Sequence, residues 1–349
     1  MPHDFWTGKQ VLVTGATGFF GGWLVRSLLQ RDAQITAIVR NDKPESQFYE
    51  QGYDQRVRIE RGSVYDAAFF SGAIESTRPD VFFHAACGAD VARVLQEPVE
   101  CYRTTVESTW NALETLRTRP GLDRCITVLS SSDKVYGVQE LPYLEEKPLR
   151  PMHPYEVAKA SADLIAQSYG KIYKLPVAIT RCGNYFGPYD LSWARLIPGA
   201  MRSIANNEAP VLRSDGRFTR DYLHVEDAAE AHLLLAEQLA AKPELAGEAF
   251  NFSYGEEVEV IDIVRRLIAQ SGRPLEAVVN ASARAEIRKM LLDSSKAKQQ
   301  LGWQPKLGFA EGLRNTAEWY LRHFASSTER VHRTNDAAYT APFSHQYWH

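Results

Sequence analysis

The sequence predicts an α/β protein: a doubly wound parallel sheet followed by a smaller C-terminal domain. Three observations carry that prediction. Short apolar runs recur through the first half without polar alternation, as in strands covered on both faces. Stretches of helical period separate most of them, as crossovers between parallel strands require. A glycine-rich turn joins the first apolar run to the first helical stretch.

Taken in order, QVLVTG (10–15) reads as the first buried strand, and GWLVRSLLQ (22–30) as a helix with apolar residues at three-and-four spacing. QITAIV (34–39), RVRIE (56–60), DVFFHAA (80–86), CITVLSS (125–131) and PVAITRC (176–182) continue the strand series. Helical patterns cover 98–118 and 154–173. After residue 182 the loops lengthen, Gly and Pro recur, and arginines gather in LRSDGRFTRDY (212–222). A last helix is expected over 309–324. The expected division gives residues 1–182, with return segments at about 220–252, to the sheet domain. The rest of 183–325 forms the smaller domain over the sheet's carboxyl edge, and 326–349 a tail.

Composition narrows the function. Forty Lys and Arg stand against 43 Asp and Glu, a formal charge of −3, with no basic block. A surface that tracks nucleic acid needs concentrated positive charge, so no nucleic acid partner is expected. No apolar run approaches the roughly 18–20 residues that span a bilayer, so no membrane partner is expected. The opening MPHDFWTGKQ lacks the charged-then-apolar order of a signal peptide, which points to the cytoplasm. Cys87, Cys101, Cys125 and Cys182 are scattered without CxxC spacing. Free thiols are expected, with neither disulfide nor metal site.

In TGATGFFGG, Gly15, Gly18 and Gly21 stand at G-x-x-G-x-x-G spacing, with Thr17, Phe19 and Phe20 between and after them. Glycine permits the tight turn and close backbone approach to a pyrophosphate, and the following helix turns its free N–H groups toward the phosphates. This is a Rossmann-type dinucleotide site. The end of the second strand reads AIVRND, without the acid that commonly holds the ribose hydroxyls of NAD. Arg40 has two readings there, a partner for the 2′-phosphate of NADP or a solvated strand-end arginine.

PYEVAK places Tyr155 one helical turn before Lys159, on the same face. A nearby ammonium, joined by the charge of a nicotinamide, would lower the phenol from about 10 and make Tyr155 a proton acceptor. Ser132, at the end of a strand, could bond the same substrate oxygen. Asp133 and Lys134 follow it directly, a carboxylate and an amine behind an apolar run.

TGATGFFG, FHAACGADV, SSSDKVYG, PYEVAK, TRCGNYFGP, RLIP, DGRFTRDYLHVEDAAEAHLLLAE, AFNFSYGEEVEVIDIV and LDSSKAKQQLGWQP occur in that order. With them the chain resembles the extended short-chain dehydrogenase/reductases that act on nucleotide sugars, over roughly residues 5–324. Its opening, FWTGKQVLVTGATGFFGGWL, is most similar to the CDP-glucose 4,6-dehydratase group. Small neutral residues usually follow the catalytic serine or threonine in the family's epimerases. Its 4,6-dehydratases carry an acid and then Glu or Lys, as Asp133-Lys134 do here.

The resemblance implies NAD or NADP, retained and recycled, and a nucleotide-hexose substrate. Tyr155 would take the O4 proton as hydride leaves C4, and the resulting ketone acidifies the C5 proton. Asp133 would protonate the departing C6 hydroxyl. Lys134 would be the C5 base, or else an ammonium that steadies the enolate. As a base it would have to be neutral, well below its usual value of about 10.4. The family pattern also assigns Ser63, Val64, Ala85, Ala86 and Thr105, with Tyr155 and Lys159, to the cofactor face. Ser63 stands where relatives often have Asp, and Thr105 where they commonly have Asn. Asn184, Arg195, Leu196, Arg220 and Arg288 would lie toward the diphosphate, and Val211 toward the base. A homodimer through helices 98–118 and 154–173 is implied. A C4 epimerase or other isomerase on the same scaffold, and a non-catalytic cofactor-binding protein, are the alternative readings.

Overall fold

A computed structural model describes residues 5–88, 91–280 and 287–326. Its centre is a parallel sheet of Gln10–Thr14 (β1), Gln34–Val39 (β2), Arg58–Arg61 (β3), Val81–His84 (β4), Ile126–Ser130 (β5) and Val177–Cys182 (β6). Short strands follow at Asn184–Phe186 (β7), Val211–Leu212 (β8), Thr219–Arg220 (β9) and Tyr222–His224 (β10). Ala249–Phe252 (β11) returns to the main sheet, and Val258–Glu259 (β12) and Val278–Val279 (β13) complete the series. The seven-stranded order is β11-β6-β5-β4-β1-β2-β3.

β4, β6 and β11 are buried throughout their length, which is why their sequences show no alternation. Val11 pairs with Ile35 on one side and Val81 on the other, so the strand order reverses at β1. Ligands of open α/β sheets bind outside the carboxyl ends at such a switch point.

The expected helices form at Phe19–Leu29, Pro154–Tyr173 and Phe309–Ser326. The stretch expected over 98–118 is helical but passes through a π turn at Arg103–Glu107, between Pro98–Tyr102 and Ser108–Thr118. A separate apolar cluster around Ile197, Met201, Ile263, Leu267, Leu313 and Tyr320 forms the core of the later segments. It joins β7 and β10 to the helices Leu196–Ala205 and Val260–Ser271. The expected tail 326–349 falls almost wholly outside the described residues.

Buried charge ties the sheet to the Pro154–Tyr173 helix. Arg181 on β6 is 2% exposed and donates two hydrogen bonds to Asp163, both at 2.9 Å. It also reaches the Tyr136 hydroxyl at 2.9 Å and the Glu145 carbonyl at 3.2 Å.

Candidate active site

The glycine-rich turn is built as its residues require. Gly15 has φ +78°, in the region that favours glycine. A Cβ on Gly21 would lie 2.0 Å from the Gly15 carbonyl oxygen, so turn and helix can close only with glycine there. Gly18 caps the Phe19–Leu29 helix without a side-chain hydrogen bond, which leaves the first N–H groups for a ligand. Phe20 stacks on Tyr185 with centroids 5.1 Å apart, and Thr17 and Phe19 are partly buried beside it.

Across the switch point Thr14 Oγ1 accepts the N–H groups of Ala85 and Ala86, both at 3.1 Å. His84 holds that threonine at 2.8 Å through Nδ1 and Ser108 at 2.9 Å through Nε2. Burial drives the His84 pKa down to about 3, so the ring is a neutral strut. Val64 is buried, and Ser63 Oγ and Thr105 Oγ1 are buried without hydrogen-bond partners. Free helix N–H groups, a glycine cradle and spare hydroxyls fit a dinucleotide. Arg40, in contrast, is exposed and pairs with Glu100 at 2.9 Å.

The opposite wall carries the proton chemistry. His153 caps the Pro154–Tyr173 helix by accepting the Tyr155 N–H at 3.1 Å, while Glu156 accepts the His153 N–H at 3.1 Å. This reciprocal cap, with proline opening the helix, fixes Tyr155 in the first turn and Lys159 one turn on. Lys159 is buried and its Nζ donates to the Ser130 carbonyl at 2.6 Å.

The phenol departs from the sequence expectation. Burial holds the Tyr155 pKa up, and the charges of Cys87 and Asp133 add to it. Arg195 and a hydrogen bond with Ser132 pull it down without prevailing. The protein's own groups therefore keep the phenol protonated, because desolvation outweighs the nearby cations.

Ser132 caps the short 3-10 helix Asp133–Tyr136, accepting the Lys134 N–H at 3.2 Å. Its hydroxyl donates to Asp133 Oδ1 at 2.9 Å. Asp133 is 1% exposed, and its second oxygen has no partner. Burial raises the Asp133 pKa against the pull of Lys134 and Arg220, the direction a general acid needs. Lys134 Nζ reaches Asn184 Oδ1 at 3.4 Å.

Of the residues expected toward the diphosphate, Arg195 pairs with Asp190 at 3.2 Å and acts on Tyr155. Leu196 opens the next helix. Arg220 stands over the Phe218 ring at 5.7 Å and acts on Asp133. Arg288 is an exposed side chain whose carbonyl accepts the Thr219 N–H at 2.9 Å. Val211 is 58% exposed on β8. Neither reaches the Ser132–Tyr155 group through any contact of the described residues.

Tyr185, Asp221 and Cys87 belong to this site but were not singled out from the sequence. Tyr185 is seated among Cys182, Tyr155 and Cys87, with its buried hydroxyl against the Cys182 thiol. Asp221 follows Arg220 directly in the RDY sequence. Cys87 is the one cysteine of the four that is not fully buried. Among the described residues no group of three or more His, Cys, Asp or Glu could hold a metal, and no helix is long and apolar enough to cross a membrane.

Comparison with known proteins finds relatives along most of the chain. A family model described as GDP-mannose 4,6 dehydratase matches residues 12–316. A dTDP-glucose 4,6-dehydratase of Streptomyces griseus is 31% identical, over 90% of this chain and 94% of its own length. A CDP-glucose 4,6-dehydratase of Salmonella typhimurium is 27% identical, over 91% and 92%. Among solved structures, the dTDP-glucose 4,6-dehydratase of Bacillus anthracis in complex with NAD superposes with a TM-score of 0.77 at 28% identity, over 89% of this chain and 96% of that one. A UDP-glucose 4-epimerase of Thermotoga maritima gives 0.80 at 25% identity, over 90% and 99%. These matches make the chain an enzyme of the extended short-chain dehydrogenase/reductase class. Within that class the chain belongs to the GDP-mannose 4,6 dehydratase family.

Proposed function

We propose that this enzyme converts an NDP-hexose, CDP-glucose in the first instance, to the NDP-4-keto-6-deoxyhexose. The observation that carries the reading is Asp133, a buried carboxyl with raised pKa and one unpartnered oxygen, held between Ser132 and Lys134. A C4 epimerase needs Ser132, Tyr155 and Lys159 but has no step for such an acid. The CDP preference rests on the opening segment and the Salmonella relative, and the dTDP-glucose enzymes are the competing precedent.

NAD or NADP would lie on the glycine turn, Ala85, Ala86 and the hydroxyls of Ser63 and Thr105, between the sheet edge and Lys159. Bound there, its nicotinamide would supply a reversible hydride acceptor, and it would be retained and recycled. Tyr155 is protonated in the protein alone. It would accept the O4 proton only once the charge of a bound nicotinamide joins Lys159 and Arg195 in holding it as the phenolate, with Ser132 holding that oxygen. Asp133 delivers its proton to the C6 hydroxyl, which departs as water. Lys134, anchored on Asn184, either removes the C5 proton or steadies the enolate left behind. Arg195 and Arg220 face the diphosphate. Two copies would pair through the exposed apolar residues Val99 and Trp110 of one helical stretch and Leu164 and Ile172 of the other.

Mass spectrometry of the protein with CDP-, dTDP-, UDP- and GDP-hexoses, each with NAD and with NADP, tests the reading. A product lighter by one water is expected and names the nucleotide. An unchanged mass with an altered NMR spectrum would make the enzyme an epimerase. Lys134→Met should stop dehydration while bound cofactor is still reduced, and unchanged turnover would refute the assignment.

A further inference from the structure

The segment GPYDLSWAR (187–195) joins β7 to the helix Leu196–Ala205. Within it Tyr189 has φ +71°, a region that residues with bulky side chains rarely enter. Such a conformation persists only where its surroundings enforce it. Trp23 Nε1 donates to the Pro188 carbonyl at 3.0 Å, and Gln51 Nε2 donates to the Tyr189 hydroxyl at 2.7 Å. The Tyr189 ring lies against Trp319 with centroids 4.7 Å apart. Trp23 belongs to the helix that opens at the glycine turn and Trp319 to the last helix, so the segment is fastened on both sides.

The turn at Tyr189 leaves the next residue facing inward. The Asp190 carbonyl accepts the Tyr320 hydroxyl, and Asp190 Oδ1 accepts the Ser192 N–H at 3.2 Å. Its Oδ2 accepts Arg195 Nη1 at 3.2 Å. The Arg195 N–H donates to the Ser192 carbonyl at 2.9 Å, so one turn fixes the arginine by backbone and side chain together. The Asp190 side chain is 3% exposed and that of Arg195 41%. The acid thus grips the arginine from inside and leaves the rest of the guanidinium outside. Burial pushes the Asp190 carboxyl up and the Arg195 charge pulls it back, so each group answers the cost of the other.

A guanidinium is a rigid fork of N–H donors, able to serve a carboxylate and a phosphate at once. An arginine free in solvent gives up side-chain freedom when it binds, whereas one already tied to a buried acid has given it up in folding. We propose that Asp190 is the positioning residue for Arg195, taking one N–H of the guanidinium and aiming the others at the diphosphate of the substrate. This rests on the nucleotide-sugar reading and on the place of Arg195 in it.

Calorimetric titration of the cofactor-loaded enzyme with CDP, dTDP, UDP and GDP tests this without turnover. For whichever diphosphate binds, Asp190→Asn and Arg195→Gln should each weaken affinity by about tenfold. The double variant should bind no more weakly than Arg195→Gln, because Asp190 acts only through the arginine. An acid with a merely structural role would weaken binding in both backgrounds, and that result would overturn the proposal. So would unchanged or tighter binding in Asp190→Asn beside a weakened Arg195→Gln, since the acid would then be a competitor of the diphosphate. If Arg195→Gln binds as the wild type does, the placement of Arg195 fails and the proposal with it. If Asp190→Asn does not fold, Arg195→Lys, which keeps the charge and loses the fork, gives the answer. Wild-type affinity with that lysine would overturn the proposal, and a loss like that of Arg195→Gln would support it.

Discussion

In and against the sheet His84, His232 and Arg181 have partners on every side, whereas at the strands' carboxyl ends Ser131 and Asp133 each keep a buried polar atom without one. The interior groups are braces. His232 holds Ser130 at 2.9 Å, Thr180 at 2.8 Å and the Ala228 carbonyl at 2.8 Å, and so pins β5 and β6 to the helix Val225–Ala241. An unsatisfied buried group costs about 1–3 kcal/mol. Ser46, Gln47, Thr77 and Asn111 keep such atoms elsewhere, but those at the strands' carboxyl ends gather around Ser132 and Tyr155, where a ligand can satisfy them.

The sharpest way to break this comparison is to neutralise a group at each place. Asp133→Asn should reduce turnover by about 10²–10⁴-fold, the usual contribution of a positioned acid. Its melting temperature should not fall, because a buried carboxyl with one unpartnered oxygen contributes little to the fold. Steady-state kinetics beside calorimetry reads both. Asp163→Asn should do the opposite, leaving Arg181 charged and unpaired in the core at a cost of about 3–5 kcal/mol in chemical denaturation. If Asp163→Asn proved neutral for stability, the division into scaffold and chemistry would fail.

A smaller effect appears with pH. Burial lowers His84 to about 3, and His224 and His232 to about 4, so the fold holds them neutral. Below their usual value of about 6.5 the unfolded chain binds more protons, and stability is lost as pH falls toward 4. Asp221, raised to about 7, works the other way, since below that pH the fold holds a proton the unfolded chain releases. Urea denaturation should show the wild type losing about 1–3 kcal/mol between pH 6.5 and 5. Asp221→Asn, without the opposing group, should lose more over the same interval.

The strand series was legible because a sheet covered on both faces needs uninterrupted Val, Ile and Phe, as in VFFH (81–84) and VAITRC (177–182). The Tyr155–Lys159 pair was legible because one helical turn is a fixed spacing. The π turn at 103–107 was not, since its residues carry an ordinary helical pattern and the extra residue is accommodated by packing. The His153–Glu156 cap was readable in principle. Its signal is weak because histidine is an unusual residue to cap with its ring.

By itself the sequence determined the doubly wound sheet, the glycine turn and the identity of Ser132, Asp133, Lys134, Tyr155 and Lys159. Periodicity, backbone freedom and helical spacing are local properties, and they survive in a string of letters. Only the tertiary structure decided how those groups hold their protons. It desolvated Tyr155 more than the Arg195 charge offsets, tied Lys159 to the Ser130 carbonyl, and buried Asp133 and Asp221. Proton affinity depends on water excluded and charges across space, and neither is a property of neighbours in sequence.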